Sequence, residues 1–591
     1  MTGTAGSPGQ AGQERHEVRA VTPRVRLVAY THDPFGLAVA SARTCYASEF
    51  AFVGRLSPKG ERQRTTLEAA LPQHKQWLDE IGRYDTLHER RIALVTSMRS
   101  ELATPDLAAA LDTFADLARQ RAEGDAGLAR SIYEAGHHTP FQHPTFVFAL
   151  EDVSRNVVES FFHNHTFYNS EQQSQRYVEM KHADVHVPAS VAADPKAATV
   201  YTDAVRQAWE AYHDLRERLI GPNLKVMGAI GKIKGQTEKA IHTDAEKKAQ
   251  EMARYVLPIA AATQLYHTVS GIVLLRYVRM SQASSTPAEA KAVVDAMVAE
   301  VRKVDPTFID KVEEAPRVHD THVEHRLAGT AALASLPAGH YAVLVSATKD
   351  ADAVVTASLR EVLGTPIPQP ELLREVLDPG RNGVWNDTLN TWDHSPALRT
   401  LRHVHYTFRK RLSLTAYAQD QRHRMVPGTR PQLTRLLGNP VDVHTPEIIA
   451  TDPQSKGLYD AAIRALWDGI ARLKALGVPA EDLTYLLPNA TNITFHQSGD
   501  LLSFIHKWRL RLCFNAQKEI FDASLEELRQ AQAVHPNLTK WLGPPCTFVA
   551  AAQPPEKQDS VEACCPEGPR WCGVKVWIGF DAAKGKPKRP Y

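Results

Sequence analysis

Four stretches of this chain occur twice, in the same order, and that repetition constrains the fold more than any other feature of the sequence. A repeat read as unique sequence misstates the whole architecture. Leu27-Val28-Ala29-Tyr30-Thr31-His32-Asp33 leads into an apolar stretch at 37–43, and Leu344-Val345-Ser346-Ala347-Thr348-Lys349-Asp350 leads into another at 354–360. Each reads as a β-branched strand, a polar turn and a helix. His143-Pro144-Thr145-Phe146-Val147-Phe148 pairs with His403-Val404-His405-Tyr406-Thr407-Phe408. Both alternate as half-buried strands do, and a histidine, His163 or His423, stands fifteen residues beyond each closing Phe. Tyr201, Val205, Arg206 and Trp209 match Tyr459, Ile463, Arg464 and Trp467 at helical spacing. Arg254-Tyr255-Val256-Leu257-Pro258 matches Thr484-Tyr485-Leu486-Leu487-Pro488.

The expected organisation is therefore two homologous halves, 23–330 and 335–542, between a disordered leader, 1–22, and a Cys-bearing tail, 543–591. The first half carries about thirty extra residues between Trp209 and Pro258, rich in Gly and Lys, which should form a surface loop or helix. Segments of helical period such as 459–476 and 501–528 outweigh the short strands. The class is α+β, with a small antiparallel sheet and long helices in each half around a pseudo-dimeric core.

A length of 591 residues leaves room for more than one such core. Lys plus Arg number 69 against 67 Asp plus Glu, and a net charge of +2 gives no field that would draw nucleic acid or a membrane surface. Any bound anion must be caught locally. No apolar run reaches membrane-span length and the opening residues lack a signal peptide's apolar region, so the expected location is the cytoplasm. Four of six cysteines, Cys546, Cys564, Cys565 and Cys572, crowd the tail. They offer the thiolate count of a structural zinc, against the alternative of free cytosolic thiols.

The halves differ most at polar positions. Around the paired histidines the first has Phe162-His163-Asn164-His165-Thr166, whereas the second has Arg422-His423-Arg424 preceded by Gln419. Beyond them the first has Glu171-Gln172-Gln173-Ser174-Gln175-Arg176-Tyr177 and the second Pro427-Gly428-Thr429-Arg430-Pro431. Arg254 faces Thr484 in the repeat, and Ser281 faces Arg511. Taken singly, each has a plain reading: a turn with an ion pair, a solvated basic face, an arginine snorkelling from an amphipathic helix.

Taken in order, His137-His138-Thr139-Pro140-Phe141-Gln142-His143, Ser174-Gln175-Arg176-Tyr177, Arg254 to Pro258 and Arg422-His423-Arg424 resemble the flavin-dependent thymidylate synthase family. That family's signature is Arg-His-Arg, seven residues, Ser and, two positions on, Arg. Here it is split, with the Arg-His-Arg end at 422–424 and the Ser-x-Arg end at 174–176. Counting back from Ser174 puts the first half's decayed triplet on Asn164-His165-Thr166. The resemblance implies a homotetrameric ancestor with sites between subunits, and hence a homodimer of tandem chains here. It implies FAD-dependent reductive methylation of dUMP to dTMP with methylenetetrahydrofolate and NADPH, at one composite site between the halves. The alternative it leaves is a catalytically inactive flavin- or nucleotide-binding homologue with an assembly role.

By the same resemblance Ser174, Gln175, Arg176, Arg254, Gln419 and Arg422 hold the nucleotide, and Arg511 polarises the uracil ring. Arg422, His423, Arg424, Gln172 and His137 hold the flavin. The residue types suit the chemistry. Planar guanidiniums clamp a phosphate dianion, an amide reads both a donor and an acceptor on a base, and a buried cation stabilises charge developing on the ring.

Overall fold

The computed structural model describes residues 17–45, 51, 56–83, 88–282, 286–312, 327, 329, 336–337, 339–438 and 441–590. Ten strands lie among them. Val18–Ala20 (β1) pairs in parallel with Ala183–Val185 (β5), so part of the expected leader is a strand, tied by two bonds from Arg19 to Asp184 at 2.7 and 2.9 Å. Residues 1–16 of that leader lie outside the described residues. Arg24–Tyr30 (β2), Thr145–Ser154 (β3), Asn169–Gln172 (β4) and Ala262–Ser270 (β6) form one antiparallel sheet in the order β2-β3-β6-β4. Ala342–Ala347 (β7), His405–Ser413 (β8), Gly428–Thr429 (β9) and Asn492–Asp500 (β10) form the other, in the order β7-β8-β10-β9.

The repeat holds in the register of the edge strands. Leu27 faces Phe148 as Leu344 faces Phe408, and both edge strands slip just beyond, between Leu27 and Ala29 and between Leu344 and Ser346. Three residues past each strand stands an aspartate of left-handed backbone, Asp33 and Asp350, each at φ 50°. These turns feed the helices Pro34–Thr44 (α1) and Ala351–Leu363. Alternation buries Phe146, Phe148 and Leu150 on one sheet and Tyr406, Phe408 and Leu412 on the other. The α+β class stands.

The long helices Pro195–Ile233 (α2) and Pro453–Ala475 (α3) pack against each other at the centre. Gly469 permits the approach, since a Cβ there would lie 3.0 Å from the Cβ of Ala204. Their tyrosines serve the same purpose: Tyr201 Oη donates to His186 O and Tyr459 Oη to His444 O, each at 2.7 Å. The extra residues after Trp209 are helix. They prolong α2 and add Glu238–Ala253, with Met227, Ile230 and Ala245 as a small core of their own. Between α1 and β3 the first half also holds a helical module, centred on Leu67, Leu78, Ile81, Leu111 and Phe114, that the repeat did not foretell.

A pseudo-dyad runs between Pro258 and Pro488. Ile259 N donates to Leu487 O and Asn489 N to Leu257 O, while Ala260 N donates to Tyr485 O and Ala490 N to Tyr255 O, all at 2.8–2.9 Å. The side chains follow. Glu289 accepts from Ser154 N and Oγ of its own half and, at 2.8 Å, from Tyr485 Oη of the other. Glu519 likewise accepts from Ser413 N and Oγ and, at 2.7 Å, from Tyr255 Oη.

Candidate functional site between the halves

The crossing at Pro258 carries Arg254 into the second half, where Arg254 Nη2 donates to Gln517 Oε1 at 2.7 Å. Gln517 immediately precedes the helix Lys518–Val534, and its Oε1 also accepts from Gln419 Nε2, which lies on the helix Leu414–Asp420. Gln517 Nε2 in turn donates to Tyr255 Oη. One amide thus joins the Arg254-Tyr255 pair of one half to the glutamine of the other. Arg176, just beyond β4, pairs with Glu251 and donates through Nη2 to Asn515 O at 2.9 Å, again across the halves. Arg511 ends the helix Leu501–Arg511. Its Nε donates to His423 Nε2 at 2.7 Å and its Nη2 to Gln419 O at 2.7 Å.

Burial sets the electrostatics. Arg254 is 5% exposed, and desolvation lowers its pKa to about 10; the same cause lowers Arg511 to about 10, with Arg176 and Arg422 close enough to add to it. Burial opposes ionisation of Glu251, but Arg176, Lys248 and Arg254 outweigh it and bring its carboxyl down to about 2. His423 is held neutral by burial and by the Arg511 guanidinium. Arg254 Nε and Gln419 Oε1 are buried without a protein partner among the described residues. The cluster therefore offers guanidiniums in excess of carboxylate, together with a free donor and a free amide oxygen. That suits an anion joined to a hydrogen-bonding ring.

Arg422 and Arg424 lie on a neighbouring cleft of about 250 Å³, lined also by His163, Tyr168, Ser170 and Tyr266. The Arg422 side chain is 46% exposed and donates to Ser170 O at 3.2 Å and Glu171 Oε1 at 3.1 Å. Arg424 donates to Asn169 Oδ1 at 2.9 Å and lies 5.4 Å over the Tyr168 ring.

Not every expected residue converges. Ser174 Oγ accepts from Arg176 N at 3.2 Å and so shapes the turn that presents that arginine. Gln175 is buried as a strut, its carbonyl accepting from Gln250 and its Oε1 from Asn489 at 3.1 Å. Gln172 Nε2 donates to Thr263 Oγ1 at 3.4 Å. His137 stands exposed past the helix Pro105–Glu134, its N–H bonded to Ile132 O, and is not joined to this cluster.

The zinc set expected in the tail is not assembled. Cys564 turns its Sγ towards Lys557 O and Gln558 O, at 3.5 and 3.6 Å, because the short helix Val561–Cys564 ends there and the backbone becomes extended at Cys565. Cys546, Cys565 and Cys572 share a cavity of about 20 Å³ with Cys513 instead. Among the described residues no group of three or more His, Cys, Asp or Glu is placed to hold a metal ion. The tail folds back on the site loop, where Asn515 Nδ2 donates to Arg570 O at 2.7 Å. Among the described residues no helix is long and apolar enough to cross a membrane.

Sequence reasoning missed Glu251, Asn515 and Gln517, which belong to no motif. Tyr255 was legible, since both copies of the Leu-Pro segment keep their tyrosine.

Comparison with known proteins agrees with this duplicated arrangement. A flavin-dependent thymidylate synthase of Saccharolobus solfataricus is 30% identical over 210 residues, which is 34% of this chain and 76% of that protein. One from Clostridium tetani is 29% identical over 173 residues, 29% of this chain, and the match spans only 64% of its length. Among solved structures, the UMP/dUMP methylase PolB of Streptomyces cacaoi bound with 5-Br dUMP is 17% identical over 50% of this chain and 96% of its own, with a TM-score of 0.29 that supports no alignment of site residues. The family model described as thymidylate synthase complementing protein matches residues 26–307 and again 343–537, so the chain belongs to that family and carries it twice in tandem.

Proposed function

We propose that this chain converts dUMP to dTMP, taking the carbon from methylenetetrahydrofolate and reducing equivalents from NADPH through FAD, at one site shared by its halves. The observation that carries the reading is Gln517 Oε1, which accepts from Arg254 of the first half and Gln419 of the second. Residues that the repeat left complementary in sequence are thereby adjacent in space.

Arg176 and Arg254 bind the phosphate, and desolvation strengthens their hold because no water competes for the charge. Gln419 reads the base edge through the Oε1 that the protein leaves free. Arg511 stabilises negative charge developing on the uracil ring. His423 orients Arg511 by accepting its Nε–H.

The residues at the cleft fit a flavin dinucleotide: two guanidiniums, Arg422 and Arg424, with the Tyr168 ring between the rim and the buried His163. FAD, when bound, supplies the hydride. Arg422 and Arg424 anchor it. Two tandem chains supply the four family domains of a tetramer, so a homodimer in the cytoplasm is the expected working form.

The test is tritium release from 5-tritiated dUMP by the purified protein with FAD, NADPH and methylenetetrahydrofolate. Arg176→Ala and Arg511→Ala should each lower kcat/KM by about a hundredfold or more. Ser281→Ala, at the repeat position of Arg511, should stay within about twofold of wild type. Activity that survives both arginine substitutions defeats the shared site.

A further inference from the structure

A second group of buried polar side chains lies between the halves, and the Arg176, Arg254, Gln419 and Arg511 side chains take no part in its hydrogen bonds. Arg155 and Glu159 stand one helical turn apart after β3, with Arg155 Nη2 3.4 Å from Glu159 Oε1. Arg430 of the second half donates through Nη2 to Glu159 O at 2.8 Å. Gln421 donates through Nε2 to Glu159 Oε2 at 2.5 Å and to His163 Nδ1 at 3.3 Å. Asn156 Nδ2 donates to Thr484 Oγ1 at 2.9 Å, and Thr484 holds the place in the repeat that Arg254 holds in the first copy. The dyad thus builds a second cross-half contact from different residues.

This group is unfinished. Arg155 Nε, Arg430 Nε and Nη1, Asn156 Oδ1, Gln421 Oε1 and His163 Nε2 are all buried without a protein partner among the described residues. Arg155 and His163 are each 6% exposed and Asn156 0%. Native interiors leave few such atoms, so several in one place mark a space that something else fills. Since His163 Nδ1 accepts from Gln421, its Nε2 carries the hydrogen, and the orphans are mostly donors. Two guanidiniums face one carboxylate, and His163 is kept neutral by burial and by His267 and Arg422. Buried water satisfies donors but leaves that charge uncompensated. His163, which Gln421 joins to this group, also lines the cleft that carries Arg422 and Arg424.

The geometry points to a second ligand site, formed by Arg155, Asn156, Glu159, Gln421 and Arg430, for a phosphate-class oxyanion, either free or as a monoester. It is separate from the Arg176–Arg254–Arg511 cluster, and only the count of two phosphates in the test rests on the function proposed above.

Equilibrium dialysis of radiolabelled inorganic phosphate against the full-length, flavin-loaded protein tests it. Two phosphates per chain are expected. Arg430→Gln should weaken one of them by about tenfold or more and leave the other, while Arg176→Gln should do the reverse. Asn156→Asp, nearly isosteric, puts a second negative charge in the cluster and should also remove the Arg430-dependent phosphate; a thermal melt identifies any variant that has unfolded. Displacement of that phosphate by AMP assigns the site to monoesters, and failure of AMP to displace it assigns the site to the free ion. Phosphate binding that is unchanged in folded Arg430→Gln and Asn156→Asp proteins, or a single phosphate lost with Arg176→Gln alone, overturns the proposal, as does loss of the Arg430-dependent phosphate on loading flavin.

Discussion

Because the dyad makes each tyrosine of the Leu-Pro segments a control for the other, Tyr255→Phe and Tyr485→Phe should cost similar stability but only the first should cost activity. Each hydroxyl donates to a buried carboxylate of the opposite half, Tyr255 to Glu519 at 2.7 Å and Tyr485 to Glu289 at 2.8 Å. A hydrogen bond to a charged group contributes about 1.5–3 kcal/mol, and each carboxylate keeps its serine N–H and O–H, so each variant should lose about 2 kcal/mol. Tyr255 Oη has a second duty that Tyr485 lacks: it accepts from Gln517 Nε2, whose Oε1 holds Arg254 and Gln419. Without that anchor the amide turns, and displacement of substrate-holding groups by about 1 Å costs on the order of a hundredfold in rate. Urea unfolding followed by tryptophan fluorescence measures the first effect and tritium release from labelled dUMP the second. Equal losses of activity in the two variants, or none in Tyr255→Phe, would refute the argument that Gln517 couples the halves.

Two further outcomes follow from buried charge. Glu251 is held down to about 2 in the folded chain against an ordinary 4.5, so its contribution to stability is complete above 4.5 and is lost as pH falls towards 2; Glu251→Gln should flatten the urea midpoint across that window, and an unchanged acid slope counts against the Arg176 pair. Lys410 and Lys507 each lie 2.7–2.9 Å from both Asp420 and Glu527, with all four side chains 0% exposed, so Lys410→Met leaves two carboxylates sharing one cation and should cost about 3–5 kcal/mol in urea unfolding; a loss under about 1 kcal/mol contradicts the network.

The repeat, the class and the family were legible in the sequence because they rest on local rules. A strand has a period of two residues, so Phe146-Val147-Phe148 and Tyr406-Thr407-Phe408 declare a buried face wherever they occur. The complementary survival of Arg254 in one copy and Arg511 in the other already implied a shared site. Exact alignment of the decayed triplet was not legible. A bulge at Asp152, at φ 58°, and a π-turn at Val158–Phe162 shift the count between the strand and His163, and both arise from packing rather than from any motif.

What the tertiary structure alone decided is which polar atoms meet. Gln517 is 263 residues from Arg254 and Asn515 is 339 from Arg176, and no periodicity links positions so far apart. Cys564 and Cys565 are neighbours in the chain yet face apart, whereas Cys513, from the site loop, joins Cys546, Cys565 and Cys572. Hydrophobic patterning is written residue by residue, because each side chain need only find the interior. A polar site requires particular partners at hydrogen-bond distance, and only the closure of the two halves about Pro258 and Pro488 brings them together.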